Sequence, residues 1–217
     1  MKKVLISPYW KSLFVICFLL LSKILIGQSL GNTNMPFTDS IKIDVKTKLS
    51  NSEQNQILDF QNIDFFTLKF SGKGLINKYF CLITKEMWNG KLKKVDTVLN
   101  SKTNYVTIKV ETDTLTLKVI GGRIEDNKLK FVFRLPMVGM TRYYKGIKSY
   151  DYSLRGVRNQ SYVGVNKPFN LLTYILPYEV DGSKRYCEVD GSGINIEEWG
   201  KKFKIKHYLI FEMMFMD

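Results

Sequence analysis

The sequence predicts an all-β protein: a single antiparallel β-sandwich or meander barrel of roughly ten strands, with at most one or two short helices. Three observations support this prediction. Apolar and polar residues alternate along much of the chain, turn dipeptides such as Asn89-Gly90 separate the alternating runs, and alanine, the strongest helix former, is absent. Residues 41–217 are long enough for one well-buried β-rich domain, and we expect them to form one.

Residues 1–27 have the features of an export signal. Lys2, Lys3 and Lys11 precede an uninterrupted apolar run over residues 13–21. This run is shorter than the roughly 20 residues that a spanning helix needs, so we expect the signal to be cleaved and no stable membrane span to remain. Residues 28–40 are polar and are predicted to be a flexible lead-in. The prediction is therefore an exported protein, periplasmic or secreted.

The first predicted elements precede the middle of the chain. Residues 41–45, 63–70 and 78–88 alternate as strands, and the Asn89-Gly90 dipeptide predicts a hairpin that returns through residues 91–99. Between the first two strands, residues 50–60 begin with serine and asparagine, followed by acidic and amide residues. That order predicts one short helix.

Residues 105–136 carry the clearest strand pattern. Apolar residues fall on even positions over 106–110 and on odd positions over 115–119, so a turn is expected near Thr112-Asp113. A third alternating run covers residues 129–135. We therefore predict two consecutive hairpins in this stretch.

The remaining third of the chain is less regular. Residues 137–165 mix tyrosine, glycine and basic residues, which favours long loops or exposed strands. Strands are expected again over residues 169–180 and, at the end of the chain, over 203–216. The segment EVDGS at 179–183 recurs at 188–192, and its repeated Asp-Gly predicts two successive turns of a meander.

The charge balance is strongly basic, with a formal net charge of +13. Without residues 1–27 the chain keeps 29 basic and 20 acidic residues, so the net charge is 29 − 20 = +9. Such a charge favours anionic partners by electrostatic steering. Lysines outnumber arginines 27 to 6, however, and a lysine-rich surface is equally typical of simple solubility.

Two cysteines remain after the signal, Cys81 and Cys187. An oxidising compartment would allow a disulfide between them, worth on the order of 4 to 5 kcal/mol in the chain-entropy model. Both thiols could equally be free and buried. The disulfide is therefore one of two open alternatives.

The sequence contains little that indicates catalysis. His207 is the single histidine, and its position in the last predicted strand favours a structural role over a catalytic one. One histidine and two distant cysteines give no recognisable metal spacing, and no cofactor motif is present, so we expect neither metal nor cofactor. Carboxylate chemistry is harder to exclude, because Glu188, Asp190, Glu197 and Glu198 lie close together in sequence beside Trp199.

Residues 141–162 are the best candidate for a recognition surface. They combine tyrosines with basic residues against the single acid Asp151, and an extended backbone would place several of these side chains on one face. The predicted binding residues are Arg142, Tyr144, Lys148, Tyr150, Tyr152, Arg155 and Arg158.

The leading functional hypothesis is an exported, non-catalytic binding protein of the bacterial envelope. Its expected partner is a protein or an anionic glycan rather than a nucleic acid, and an immunity-type inhibitor is one concrete version. Two alternatives stay open: a carboxylate-dependent glycoside hydrolase and a small outer-membrane β-barrel. The oligomeric state is not determined by the sequence.

Overall fold

The structure, a computed structural model, describes residues 40–103, 107–157, 161–186 and 193–217. Within these ranges the chain forms thirteen strands, and the predicted all-β fold is confirmed. The strands are β1 (Ile41–Lys46), β2 (Ile63–Ser71), β3 (Tyr79–Trp88), β4 (Lys91–Asn100), β5 (Thr114–Glu125), β6 (Lys128–Arg134), β7 (Gly139–Lys145), β8 (Ser153–Gly156), β9 (Tyr162–Val163), β10 (Phe169–Ile175), β11 (Tyr178–Val180), β12 (Ser183–Arg185) and β13 (His207–Met216). The α-helices are α1 (Ser52–Phe60) and α2 (Trp199–Lys202), and 3₁₀ turns occupy Lys73–Leu75 and Ile196–Glu198.

The strands form two antiparallel sheets around one main core. Sheet A has the strand order β7-β6-β5-β2-β1-β9, and sheet B has the order β4-β3-β13-β10-β8. Aromatic side chains from both sheets meet in the core: the ring centroid of Phe131 in sheet A lies 4.9 Å from those of Tyr174 and Phe211 in sheet B. β11 and β12 form a separate two-stranded hairpin.

β13 is buried on both faces. Phe211, Met213 and Phe215 point into the main core, whereas Tyr208 and Ile210 point into a smaller core on the outer side of sheet B. A nearly continuous apolar run is typical of such a strand. The strand predicted over residues 203–216 begins only at His207, because Lys204 adopts a positive φ of 55° that interrupts the extended backbone.

The short-range predictions are largely confirmed. Asn89 and Gly90, with φ values of 48° and 70°, make the predicted turn between β3 and β4. The side chain of Asn51 accepts a hydrogen bond from the Gln54 N–H and caps α1, as the sequence indicated. Asp181 and Gly182 form the first turn of the predicted meander, and the second turn, at residues 190 and 191, lies outside the described residues.

The first of the two hairpins predicted over residues 105–136 is wrong. Residues 107–113 form no strand, and β5 pairs with β2 and β6 instead. Val110 donates to Lys78 O and accepts from Asn77 N, so this segment carries the chain from sheet B to sheet A. The alternating pattern does place Val110 in the core. It belongs to an extended connection and not to a strand of a sheet. The second hairpin, β5–β6, is confirmed.

The edges of the two sheets meet on one side of the core. Arg142 of β7 donates from Nη2 to Val98 O of β4 at 2.8 Å, and its Nε lies 3.6 Å from a carboxylate oxygen of Asp96. This contact ties the β7 edge of sheet A to the β4 edge of sheet B. No helix among the described residues is long and apolar enough to cross a membrane.

Candidate functional site

A cleft of about 510 Å³ opens between the sheets near β1 and β8. Val45 lies on the same face of β1 as the buried Ile41, yet it is 45% exposed, because sheet B does not cover this end of β1. Residues from both sheets and from α1 line the cleft. They include Ile43 and Val45 of β1, Leu58 and Asp59 of α1, Asp64 and Phe66 of β2, and Leu154, Arg155 and Gly156 of β8.

Asp64 is a half-buried acid of this cleft. In β2 it shares the inward face with Phe66, Leu68 and Phe70, so its carboxylate points towards sheet B. The Leu154 N–H donates to Asp64 Oδ2 at 3.0 Å and joins β8 to β2. Burial raises the pKa of Asp64 to about 6, against the opposing effects of this hydrogen bond and of the Arg155 charge.

Arg155 is the cation that faces this acid. Its guanidinium lies over the ring of Tyr186, 4.3 Å from the centroid, which holds the planar group in place. Its Nε is buried and has no hydrogen-bond partner among the described residues. Buried donors are normally paired, so this nitrogen is an exception among the described residues. We call this cavity the Asp64–Arg155 cleft.

Among the described residues that line the cleft, the charges balance at neutral pH. Lys48 and Arg155 are positive, whereas Asp59 and Asp64 are negative. Because the pKa of Asp64 is about 6, the cleft gains positive charge when the pH falls below that value. Protonation of Asp64 therefore removes one negative charge beside Arg155.

The sequence missed Asp64, although a pattern could have revealed it. The segment IDFFTLKF places an acid at a position whose parity matches Phe66, Leu68 and Phe70, and therefore in the core of a half-buried strand. A charged residue at a predicted core position is uncommon without a partner or a function. Arg155 was among the predicted binding residues, and the structure places it beside this acid.

The other predicted binding residues do not share one face. Tyr144 and Tyr152 are buried, with exposures of 6% and 8%, whereas Tyr150 is 72% exposed and Lys148 is exposed. The expected extended face does not form, because β7 ends at Lys145 and the chain bends before β8. Arg158 lies outside the described residues. A binding role for these residues stays a prediction.

Each of the described side chains has a local partner. Arg142 links the sheet edges, and the Tyr144 hydroxyl lies 2.7 Å from Oγ1 of Thr84. Lys148 pairs with Asp126 at 2.7 Å, and the Arg123 guanidinium lies 3.7 Å from the centroid of Tyr150. These contacts give most of the described side chains in this segment a structural role.

His207 is fully buried, and Nδ1 lies 2.6 Å from the Tyr152 hydroxyl. Its ring centroid lies 4.3 Å from that of Trp88, and Nε2 has no hydrogen-bond partner among the described residues. Burial lowers the pKa of His207 to about 4, so the ring is neutral at physiological pH.

The carboxylates considered for glycoside hydrolysis are only partly described. Glu188 and Asp190 lie outside the described residues. Glu197 forms an ion pair with Lys85 at 2.8 Å, and Lys85 also bonds Glu212. Trp199 is buried and donates to Ile194 O, so its ring is part of the smaller core.

Cys81 is half-buried on β3, and Cys187 lies outside the described residues, so the disulfide stays a prediction. Across the described ranges, no group of three or more histidine, cysteine, aspartate or glutamate side chains is placed to hold a metal ion. Comparisons with protein-family models, with curated proteins and with solved structures found no match.

Proposed function

We propose that this chain is an exported, non-catalytic binding protein whose ligand presents an acidic group, on a protein or on a glycan, to the Asp64–Arg155 cleft. The observation that carries the proposal is the buried Nε of Arg155, which lacks a partner among the described residues at the wall of a 510 Å³ cleft. A ligand carboxylate, sulfate or phosphate would pair with the accessible part of this half-buried guanidinium, which forms no ion pair with a described acid.

The identity of the cation supports this choice. The chain contains only six arginines, so an arginine in the cleft is not explained by the general bias towards lysine. A guanidinium presents N–H groups in a planar fork that matches a carboxylate or phosphate in two hydrogen bonds. Stacking on Tyr186 orients that fork before a ligand arrives, which reduces the entropy lost on binding.

The walls supply the apolar contact that most ligand sites need. Ile43, Val45 and Leu58 line the cleft together with Phe66 and Leu154. A cleft with apolar walls and a few oriented polar groups is the usual form of a binding site. The ligand would therefore place an apolar surface on these walls and an acidic group against Arg155.

The experiment is calorimetric titration of the purified protein with oligomers of galacturonic acid and with oligomers of neutral galactose. Arg155→Gln should weaken binding of the acidic oligomer about tenfold or more, since a hydrogen bond to a charged group is worth about 1.5 to 3 kcal/mol. Arg134→Gln is the matched control, because it removes the same charge from an exposed position on β6. Equal weakening by both variants, or equal binding of the neutral oligomer, would contradict the proposal.

A second assay distinguishes a protein ligand from a glycan ligand. An acidic peptide library passed over the immobilised protein tests for a protein ligand under the same buffer conditions. Retention of acidic peptides that depends on Arg155, with no heat from the acidic oligosaccharide, would assign a protein partner. If neither probe binds in an Arg155-dependent way, the cleft is not the ligand site.

One observation favours a glycoside hydrolase as the second candidate. Asp64, with its pKa raised to about 6, lines the same cleft as Asp59, and hydrolysis requires one protonated and one ionised carboxyl group. Release of nitrophenol from a panel of nitrophenyl glycosides tests this. Turnover by the wild type that is lost in Asp64→Asn, while ligand binding is kept, would replace the binding proposal with the hydrolase.

A further inference from the structure

Seven lysines from two distant segments of the chain gather at the tip of the β3–β4 hairpin. Three follow the turn at the start of β4, and four lie in α2 and in the connection to β13. All seven residues are exposed. We call this group the lysine corner; its members are Lys91, Lys93, Lys94, Lys201, Lys202, Lys204 and Lys206.

Two backbone contacts bring the segments together. The Asn89 N–H donates to Lys206 O at 2.8 Å. Gly90 lies so close to α2 that a Cβ atom there would be 2.7 Å from Lys201 N and 3.0 Å from the carbonyl carbon of Gly200. The β3–β4 turn therefore packs directly against residues 200–206. The fold itself holds the two lysine segments side by side.

Among the described residues, the neighbouring acids are three against seven lysines and do not pair with them. Glu86 accepts a hydrogen bond from Nε1 of Trp88, and Glu197 pairs with Lys85, which is not a member of the corner. Glu198 is exposed beside α2. None of the seven lysines forms an ion pair with a described acid. Seven like charges at one corner repel each other, and a polyanion would relieve that repulsion.

We propose that the lysine corner binds an anionic polysaccharide. Lysine is a mobile point charge that follows irregularly spaced anions, and the binding free energy would come largely from counterions released from the polymer. The corner shares no residue with the Asp64–Arg155 cleft. This inference therefore does not rest on the function proposed for the cleft.

Other polyanions fit the corner less well. Proteins that bind single-stranded nucleic acid use exposed aromatic rings to stack bases, whereas the ring of Trp88, the aromatic residue opposite Lys91, packs on His207. A protein that inserts into a lipid surface does so through a broad apolar face, and the exposed large apolar side chains described on β4 are Leu92 and Val95 alone, at 48% and 50% exposure. Charge without stacking rings or an inserting apolar face fits a hydrated sugar polymer, and titrations with lipid vesicles and with a nucleic acid test the two alternatives.

The test measures binding of the purified protein to dextran sulfate, with neutral dextran as the uncharged control, over a range of salt concentrations. The variant Lys91→Gln/Lys94→Gln/Lys201→Gln/Lys202→Gln should bind at least about tenfold more weakly, with a shallower dependence of log affinity on log salt concentration. Replacing the same four lysines by arginine should keep the affinity within about twofold, because the charge is retained.

The matched control removes four charges elsewhere. Lys69, Lys73, Lys118 and Lys145 are exposed residues in or next to sheet A, and their joint replacement by glutamine leaves the same net charge as the corner variant. This control should keep near wild-type affinity. Equal weakening in both glutamine variants would overturn the proposal, because net charge alone would then explain binding.

Two further probes distinguish the source of the anionic groups. Vesicles of phosphatidylglycerol and single-stranded polyuridylate are titrated under the same conditions. Tighter corner-dependent binding to either one than to dextran sulfate would overturn the assignment to a polysaccharide. Circular dichroism and the thermal midpoint of each variant confirm that the fold is intact, as expected for exposed lysines.

Discussion

The hydroxyl of Tyr152 lies 2.6 Å from Nδ1 of His207 and joins the loop before β8 to the first residue of β13. The Ile147 N–H donates to the same hydroxyl oxygen at 3.0 Å, so the hydroxyl proton is free to be donated to Nδ1. Both residues are buried, and a tyrosine predicted for ligand contact is therefore part of the internal polar network.

Tyr152→Phe should lower the free energy of unfolding by about 1 to 2 kcal/mol, because it removes the hydroxyl and leaves buried polar groups unpaired. Its ring would still stack on Tyr174, whose centroid lies 5.0 Å away. Urea unfolding followed by fluorescence measures the change. Tyr150→Phe is the control: its ring is 72% exposed, and the variant should unfold like the wild type. Equal effects of the two variants would show that the buried hydrogen bonds add no stability.

Burial gives His207 a stability contribution that is lost in acid. Its pKa falls from 6.5 to about 4 on folding. Between these two pH values the unfolded chain binds a proton on this ring and the folded protein does not. The contribution is complete above about pH 6.5 and disappears as the pH falls towards 4. Its size is about 3 kcal/mol at 1.36 kcal/mol per pKa unit.

Asp64 acts in the opposite direction over nearly the same pH range. Its pKa rises from 3.8 to about 6 on folding, so its contribution is complete below about pH 3.8 and is lost as the pH rises through 6. The magnitude is again about 3 kcal/mol. Between pH 6.5 and 4 the loss from His207 and the gain from Asp64 should nearly cancel in the wild-type protein.

The variants should separate these two effects. Asp64→Asn keeps an oxygen to accept the Leu154 N–H but cannot titrate, so stability should fall by about 3 kcal/mol more than in the wild type between pH 6.5 and 4. His207→Asn should show the reverse, a gain as the pH falls. Urea midpoints at half-unit pH steps provide the measurement. Parallel pH profiles for the wild type and Asp64→Asn would refute the assignment to Asp64.

Gly90→Ala should destabilise the protein by about 2 kcal/mol or more, since the residue has a positive φ and no room for a side chain. Its φ is 70°, and a Cβ would lie 2.7 Å from Lys201 N. Gly182→Ala is the control, because φ is similar at 75° but nothing lies within 4 Å of the added atom. The difference between their thermal midpoints isolates the contact with α2. Similar midpoints would mean that backbone strain alone explains the cost.

Arg142→Gln should cost about 2 kcal/mol, because the Val98 carbonyl and the Asp96 carboxylate lose a charged partner between the two sheet edges. Arg134→Gln, at an exposed position on the neighbouring strand β6, should change stability by less than about 0.5 kcal/mol. Guanidinium unfolding compares the two variants. If the two arginine variants proved equally stable, the edge contact would be incidental.

Local sequence patterns were sufficient to predict most of the turns and strands of the fold. The Asn89-Gly90 turn, the Asn51 cap of α1 and the alternation in β2 and β3 all depend on neighbours within a few residues. Those patterns failed at residues 107–113, where alternation continues although no strand pairs there. Periodicity reports which side chains are buried, and it cannot distinguish a ladder from an extended connection.

The candidate sites were much harder to predict from the sequence than the strands were. Arg155 was selected for its local charge, but its relation to Asp64 arises only when β8 is placed against β2. Tyr152 was assigned to a binding face because its neighbours are basic, whereas the pairing of β8 with β10 turns its ring into the core. Whether a side chain lies on the surface or in the core depends on its partners from distant segments. The spacing of residues along the chain does not reveal those partners.

Propensity, alternation and composition are local properties, and they were enough to identify an antiparallel β-protein, most of its strands and its basic charge. The positions at which charge acts depend on the tertiary structure. It placed Asp64 and Arg155 at one cleft, buried His207 against Tyr152, and joined two lysine segments through Gly90. The physical reason is that burial and pairing, which set the pKa of a carboxyl group and the strength of a cationic surface, depend on residues brought together only by the fold.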